Sequence, residues 1–212
     1  MSSEEIILAE LERDALTEIV NIGVSRAASS LRKMVDDQVL LSVPSIEVLS
    51  RRRAARLISE REASQLVAVR QDFSGAFSGK ALLIFPEQNS LELVRAVTGD
   101  ELAPAEVVDL EQEALAETGN VILNSCLATI ANMLRRSLTM ALPQVLRGNG
   151  ASLFELDQDA AADGLVLFLY IDFSVRNRSI RGYIAMIMDL PSLTTLKELL
   201  GEFIDRVVGG DA

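Results

Sequence analysis

The sequence predicts a mixed α/β (α+β) fold in which two helix-plus-strand halves share one central sheet. Three observations lead there. Landmarks recur at an offset of about 100 residues. Each repeat opens on a long amphipathic helix and closes on two strands and a helix. In the second repeat the strand runs are apolar at nearly every position. A sheet of two or three strands is barely stable alone, so the halves are expected to complete one sheet, related by a pseudo-twofold axis.

The first helix is expected from Leu8 to Met34. On a wheel at about 100° per residue, Leu16, Val20, Gly23, Ala27, Leu31 and Met34 gather on one side, the packed one. Asp14, Glu18, Asn21 and Ser25 gather on the other. A short strand follows, then a poorly defined stretch; the basic cluster "RRRAAR", Arg51 to Arg56, is expected as a solvated helical face in preference to a docking surface. The strands "SQLVAVRQDFSG" and "GKALLIFP" read as a hairpin, and "SLELVRAVTG" as the closing helix. An acidic turn, "GDELAPAE", bracketed by Gly99 and Pro104, marks the join.

The second half repeats the plan. A helix from Ala105 to Arg136 sets Glu113, Glu117, Asn120 and Asn124 opposite Leu115, Ile122, Cys126 and Met133, which places the lone Cys126 in the core. The runs "LVLFLYI" and "YIAMIM" must be covered on both faces or lie in a subunit contact. "DFS" at 172–174 matches "DFS" at 72–74, and "SLTTLKELLG" closes the half. The expected organisation is therefore a single domain, 1–212, of two repeats, 1–103 and 104–212.

Composition narrows the function. A chain of 212 residues with 49% hydrophobic residues can bury a sizeable core without staples. The net charge of −11 and the lack of a concentrated basic face argue against nucleic acid. With no histidine there is no His-based triad or His metal site. The acidic opening "MSSEEIILAELERD" has no secretory pattern, no segment reaches the roughly 20 apolar residues of a bilayer span, and one cysteine suits a reducing compartment. A cytoplasmic protein without membrane insertion is expected.

The polar stripe is the candidate site. Carboxylates and amides on the wet face of a helix are ordinarily just solvated. Here "DALTEIVN" at 14–21 returns as "EALAETGN" at 113–120, and 22 residues separate Asn21 from Pro44 and Asn120 from Pro143. Solvation alone does not require that spacing. Acid to amide spans about 10 Å along the helix, suited to touching several groups of one partner. A carboxamide both accepts from and donates to water, so it can hold a nucleophile in line for phosphoryl transfer, where positioning and electrostatics supply most of the catalysis.

This pattern resembles that of the CheC / CheX / FliY family of chemotaxis phosphatases: Asp or Ser, three residues, Glu, two residues, Asn, then 21 or 22 residues and Pro. It occurs twice, at Asp14, Glu18, Asn21 and Pro44, and at Glu113, Glu117, Asn120 and Pro143, and the duplicated halves extend the likeness over nearly the whole chain. Two copies in a chain of this length look like CheC. The resemblance implies a CheC-like internally duplicated fold with the long motif helices on one face of the sheet. It also implies an enzyme that hydrolyses the aspartyl phosphate of a CheY-like response regulator. Glu18 and Glu117 would pair with a lysine of the regulator, and Asn21 and Asn120 would orient the attacking water. The first positions and the prolines are supporting, the prolines by shaping the turn after the helix. Glu113 departs from the pattern by one methylene. The regulator would bring its own Mg²⁺, so no cofactor or metal of this chain's own is expected.

The alternative is a non-catalytic adaptor binding a response regulator, a flagellar switch component or a CheD-type deamidase. A dimerisation domain built on the apolar strands is a third reading, and monomer and homodimer both remain open. "GNG" at 148–150 is too short for a phosphate loop and reads as a turn.

Overall fold

Eight antiparallel strands form one sheet flanked by helices on both faces. The computed structural model describes residues 8–35, 38–62, 65–98, 104–156, 164–175 and 178–209. The first half comprises α1 (Glu10–Val35), β1 (Val39–Ser42), β2 (Ile46–Ser50), α2 (Arg51–Arg61), β3 (Leu66–Gly75), β4 (Gly79–Pro86) and α3 (Glu87–Thr98). The second comprises α4 (Pro104–Met133), β5 (Leu138–Met140), β6 (Gln144–Gly148), α5 (Gly150–Leu153), β7 (Leu165–Val175), β8 (Arg178–Met188) and α6 (Leu190–Val208). Of the expected join, residues 99–103 lie outside the described residues, and Pro104 opens α4 where its missing N–H costs nothing.

The sheet order is β1-β7-β8-β4-β3-β5, with β2 also on β7 and β6 also on β3. The two halves meet at the centre through β4 and β8, paired from Gly79↔Met188 to Ile84↔Tyr183, and at the flanks by exchange, β1 and β2 of the first half lying on β7 and β5 and β6 of the second on β3. Outward from that seam the arrangement is the same on both sides: a long hairpin strand, then two short strands end to end. This is the pseudo-twofold relation expected of a duplication. The poorly defined stretch of each half contains the second of those short strands and a helix, α2 or α5.

Side chains alternate across the strands, and both faces are dry. On β7, Leu167, Leu169, Ile171 and Phe173 face the larger core, under α1, α3, α4 and α6. Val166 and Phe168 face the smaller one, under α2 and α5. The unbroken apolar runs of the second half are therefore covered by the chain's own helices, which leaves neither face of these strands for a subunit contact. On α1 the buried stripe is Leu16, Ile19, Val20, Val24, Ala27 and Leu31. Met34 is a correction: it is 42% exposed, because α1 has run past the sheet by its last turn.

The basic run also needs correcting. Ser50 caps α2, and Arg52, Arg53 and Arg56 are exposed, but Arg51 is 7% exposed. Its guanidinium donates from Nε to the Phe154 carbonyl at 3.0 Å and from Nη2 to the Glu155 carbonyl at 3.0 Å. These carbonyls end α5 and have no intrahelical partner, so the cation joins the two short helices instead of facing water.

Two glycines set the depth of the motif helices. A Cβ at Gly23 would stand 2.9 Å from the Cα of Cys126, so α1 and α4 meet backbone to backbone there. A Cβ at Gly119 would meet Val69 of β3 at 2.5 Å. Gly119 immediately precedes Asn120 and so fixes how close that amide comes to the sheet. Gly119→Val is expected to cost about 1–3 kcal/mol through overpacking, read as a lower midpoint in denaturant unfolding. Cys126 is fully buried, and burial pushes its thiol up to about 12. The native protein should therefore resist thiol reagents until denatured; prompt labelling of the folded protein would contradict this placement.

Candidate functional site

The α1 stripe is built as the wheel implies. Asp14, Glu18 and Ser25 are exposed and Asn21 is half-buried. Glu18 and Asn21 line an open groove of about 350 Å³ with Ile22, Ser25, Arg26 and Ser29. Glu18 also borders a second, almost wholly apolar groove of about 260 Å³, where α1 lies beside α6 and where Leu11, Ile22, Phe203 and Val207 are among the lining residues. A carboxylate between a polar and an apolar hollow is suited to a protein partner, which brings both kinds of surface.

Asn21 is more constrained than a solvated amide. Its Nδ2 donates to the Val43 carbonyl at 3.1 Å, and the Val43 N–H donates to its Oδ1 at 2.9 Å. The side chain thus pairs with the backbone N–H and C=O of one residue as a neighbouring strand would. Pro44 follows directly and disfavours the helical region at Val43, which keeps the peptide extended. The 22-residue interval therefore returns the chain to the amide, and the proline acts through the backbone it holds.

In the second copy Glu113 and Glu117 are exposed and Asn120 is half-buried, on one face of α4. Its amide is held differently. The peptide equivalent to Val43 is Leu142, since Asp172 pairs with Ser42 as Asp72 bonds Ala141. Leu142 is 86% exposed. Asn120 bonds instead to Gln71 of β3, whose Nε2 donates to Asn120 Oδ1 at 3.0 Å and to the Ala141 carbonyl at 3.0 Å. Asn124 Nδ2 donates to the same Asn120 oxygen at 2.6 Å. Pro143 is half-buried, in the loop that follows.

Gln71 is absent from the sequence expectations, although a signal for it exists. Aligning "RQDFS" with "YIDFS" sets Gln71 against Ile171, one amide in a row that is otherwise Val67, Val69 and Phe73. A buried cluster nearly two turns before Glu117 was also not anticipated. Glu111, 5% exposed, accepts from the Ser90 hydroxyl at 3.1 Å and from Arg147, tying α3, α4 and β6 together. It fixes the start of the second motif without belonging to it.

Comparison with known proteins follows the same division. A family model described as chemotaxis phosphatase CheX matches residues 67–164, which hold the second motif and Gln71. A model of the CheC-like family matches residues 11–48, which hold the first motif with its proline. The CheY-P phosphatase CheC of Bacillus subtilis strain 168 is 23% identical over 204 residues, covering 92% of this chain and 96% of CheC. The chain is homologous to CheC. It is likewise homologous to the flagellar motor switch phosphatase FliY of the same organism, 22% identical over 203 residues and 93% of this chain, though it spans only 50% of FliY. Among solved structures, FliY of Thermotoga maritima superposes with a TM-score of 0.70 at 16% identity, over 93% of this chain and 100% of that one, which establishes the shared fold.

The Val43 contact has a consequence for variants. Removing the Asn21 amide leaves the N–H and C=O of Val43 without partners, so replacement of both motif amides by alanine does not leave the fold untouched. Asn21→Ala is expected to cost about 1–3 kcal/mol. Asp14→Asn, on the same helix and exposed, should stay within about 0.5 kcal/mol of wild type. Thermal unfolding of the two variants side by side checks this.

Proposed function

We propose that this chain is a phosphatase for the aspartyl phosphate of a CheY-like response regulator. The observation that carries the reading is the pinned amide of Asn21 beside an unencumbered carboxylate, at the edge of a groove open enough for a protein. Two of the amide's bonding directions hold Val43, leaving one hydrogen on Nδ2 and one lone pair on Oδ1. An amide fixed in this way can accept a hydrogen bond from water and so aim the water's own lone pair at phosphorus.

The chemistry needs little more from this chain. Water attacks phosphorus in line, the bond from phosphorus to the aspartyl oxygen breaks, and the products are the regulator's carboxylate and inorganic phosphate. The surplus proton passes to phosphate or solvent. The regulator supplies the phosphorylated aspartate with its own Mg²⁺, which stabilises charge on the phosphoryl oxygens. Glu18, exposed on α1, forms a charge-assisted pair with the regulator's lysine and fixes the register of docking. Glu117 and Asn120 occupy the matching positions on α4. Asp14 and Glu113, one turn earlier on each helix, contact the rim of the partner, and Pro44 and Pro143 hold the loops.

Glu18 and Glu117 carry no bond that the fold needs among the described residues, so they are the cleaner probes. Glu18→Gln with Glu117→Gln should leave unfolding unchanged and slow phosphate release from a phosphorylated regulator at least about tenfold, since a charge-assisted pair is worth about 1.5–3 kcal/mol. A double variant as fast as wild type would remove the carboxylates from the mechanism.

The second reading is an adaptor that binds a regulator, a flagellar switch component or a CheD-type deamidase without hydrolysis. The apolar groove beside Glu18 favours it, being a contact surface that the chemistry does not itself use. Saturable binding of a phosphorylated regulator with no faster loss of phosphate would select this reading.

A further inference from the structure

We infer that Gln71 makes the two motifs chemically unequal: it closes the oxygen of Asn120, so that Asn21 is the hydrolytic amide and Asn120 only a donor. This rests on the phosphatase reading and deepens it. The orientations follow from backbone groups whose chemistry is fixed. The Ala141 carbonyl can only accept, so the group of Gln71 that faces it, at 3.0 Å, is the NH₂. That same nitrogen lies 3.0 Å from Asn120, which must therefore present its oxygen. Asn124 donates to this oxygen as well, at 2.6 Å, and a longer 3.5 Å approach joins Gln71 Nε2 to Asn124 Oδ1. A carboxamide oxygen has two lone pairs, and both are taken.

The difference bears directly on the reaction. In-line attack requires the water's lone pair to point at phosphorus, so its hydrogens must be held by an acceptor. Asn21 Oδ1 receives one donor, the Val43 N–H, and keeps a lone pair for water. Asn120 Oδ1 keeps none. Its NH₂ has no hydrogen-bond acceptor among the described residues, so it can donate to phosphoryl oxygens but cannot aim a nucleophile.

Gln71 also stands out energetically. It is 1% exposed, and its Oε1 is buried without a donor. An orphaned buried acceptor costs more than the apolar residue that the other half uses at this position, Ile171, which faces the same core. Ala141 itself is exposed, so water can replace Gln71 at its carbonyl. Gln71 is thus dispensable for folding and acts on the site through Asn120, as a positioning residue.

Charge reversal silences each site without touching the amides. In release of phosphate from a phosphorylated CheY-like regulator, Glu18→Lys should lower the rate at least about fivefold more than Glu117→Lys does, as expected when one site alone positions water. Gln71→Ile in the Glu18→Lys background should raise the rate at least about threefold, by returning a lone pair to Asn120. Equal losses from the two reversals, or no gain from Gln71→Ile, would overturn the inference. Side-chain amide hydrogen exchange of the full chain reads the wiring without any activity. Both Gln71 hydrogens should exchange slowly, while those of Asn120 exchange at a solvent-exposed rate. A fast-exchanging Gln71 would refute the closure of Asn120 whatever the kinetics. Slow exchange at Gln71 with no acceleration of phosphate release by the wild type would instead overturn the phosphatase reading, and with it the unequal catalysis.

Discussion

The antiparallel seam between β4 and β8 is the contact on which the rest of the molecule depends. Without it the hairpins β3-β4 and β7-β8 would each keep an open edge, their other edges being covered by the short strands of the opposite half, β5 and β6 on β3 and β1 and β2 on β7. Pairing Gly79 to Ile84 with Tyr183 to Met188 closes both edges at once. It brings α1 and α4 together on one face, close enough that Gly23 and Cys126 touch through their backbones. The exposed stripes of the two helices are what remains after their other sides have been spent on this packing. The motifs therefore stand at a surface set by the central pairing rather than by either half.

Much of this was legible in the chain. Duplication, period and apolar runs together dictate a shared sheet with both faces covered, because strands without alternation have no wet side. The polar stripe was legible for the same reason: Asp14, Glu18 and Asn21 fall opposite the packed side of a single helix, and helical periodicity is the best-determined feature of a sequence. Contacts between distant segments were not. Arg51 looks like its neighbours Arg52 and Arg53, and only the tertiary position of the α5 carbonyls draws it inward. Gln71 lies 49 residues from Asn120, and nothing local announces that it will meet the amide. Met34 was misplaced because a wheel assumes that the surface beneath a helix continues as far as the helix does.

Duplication also separates what a fold preserves from what a site can vary. The two halves keep the acid, the amide and the proline in register, yet one amide leans on the backbone of Val43 and the other on a side chain that stands where the opposite half has Ile171. A single substitution within a sheet row suffices for this, since Gln71 and Ile171 occupy equivalent places with no shift of backbone pairing. Internal symmetry of sequence is therefore a poor guide to internal symmetry of chemistry.

The clasp between Asn21 and Val43 has a further consequence for how such a motif is inherited. Because Asn21 grips the backbone of Val43, its two hydrogen bonds do not depend on that residue's side chain, although Val39, Leu41 and Val43 themselves are buried in the larger core. The segments "VDDQVLLSV" at 35–43 and "LRRSLTMAL" at 134–142 share no residue at any matched position, yet they are equally long. What is held constant is a length of chain, a ruler laid from helix to loop. Substitution at the exposed Leu40 and Ser42 leaves that length unchanged, whereas an inserted residue would carry the backbone of Val43 away from Asn21.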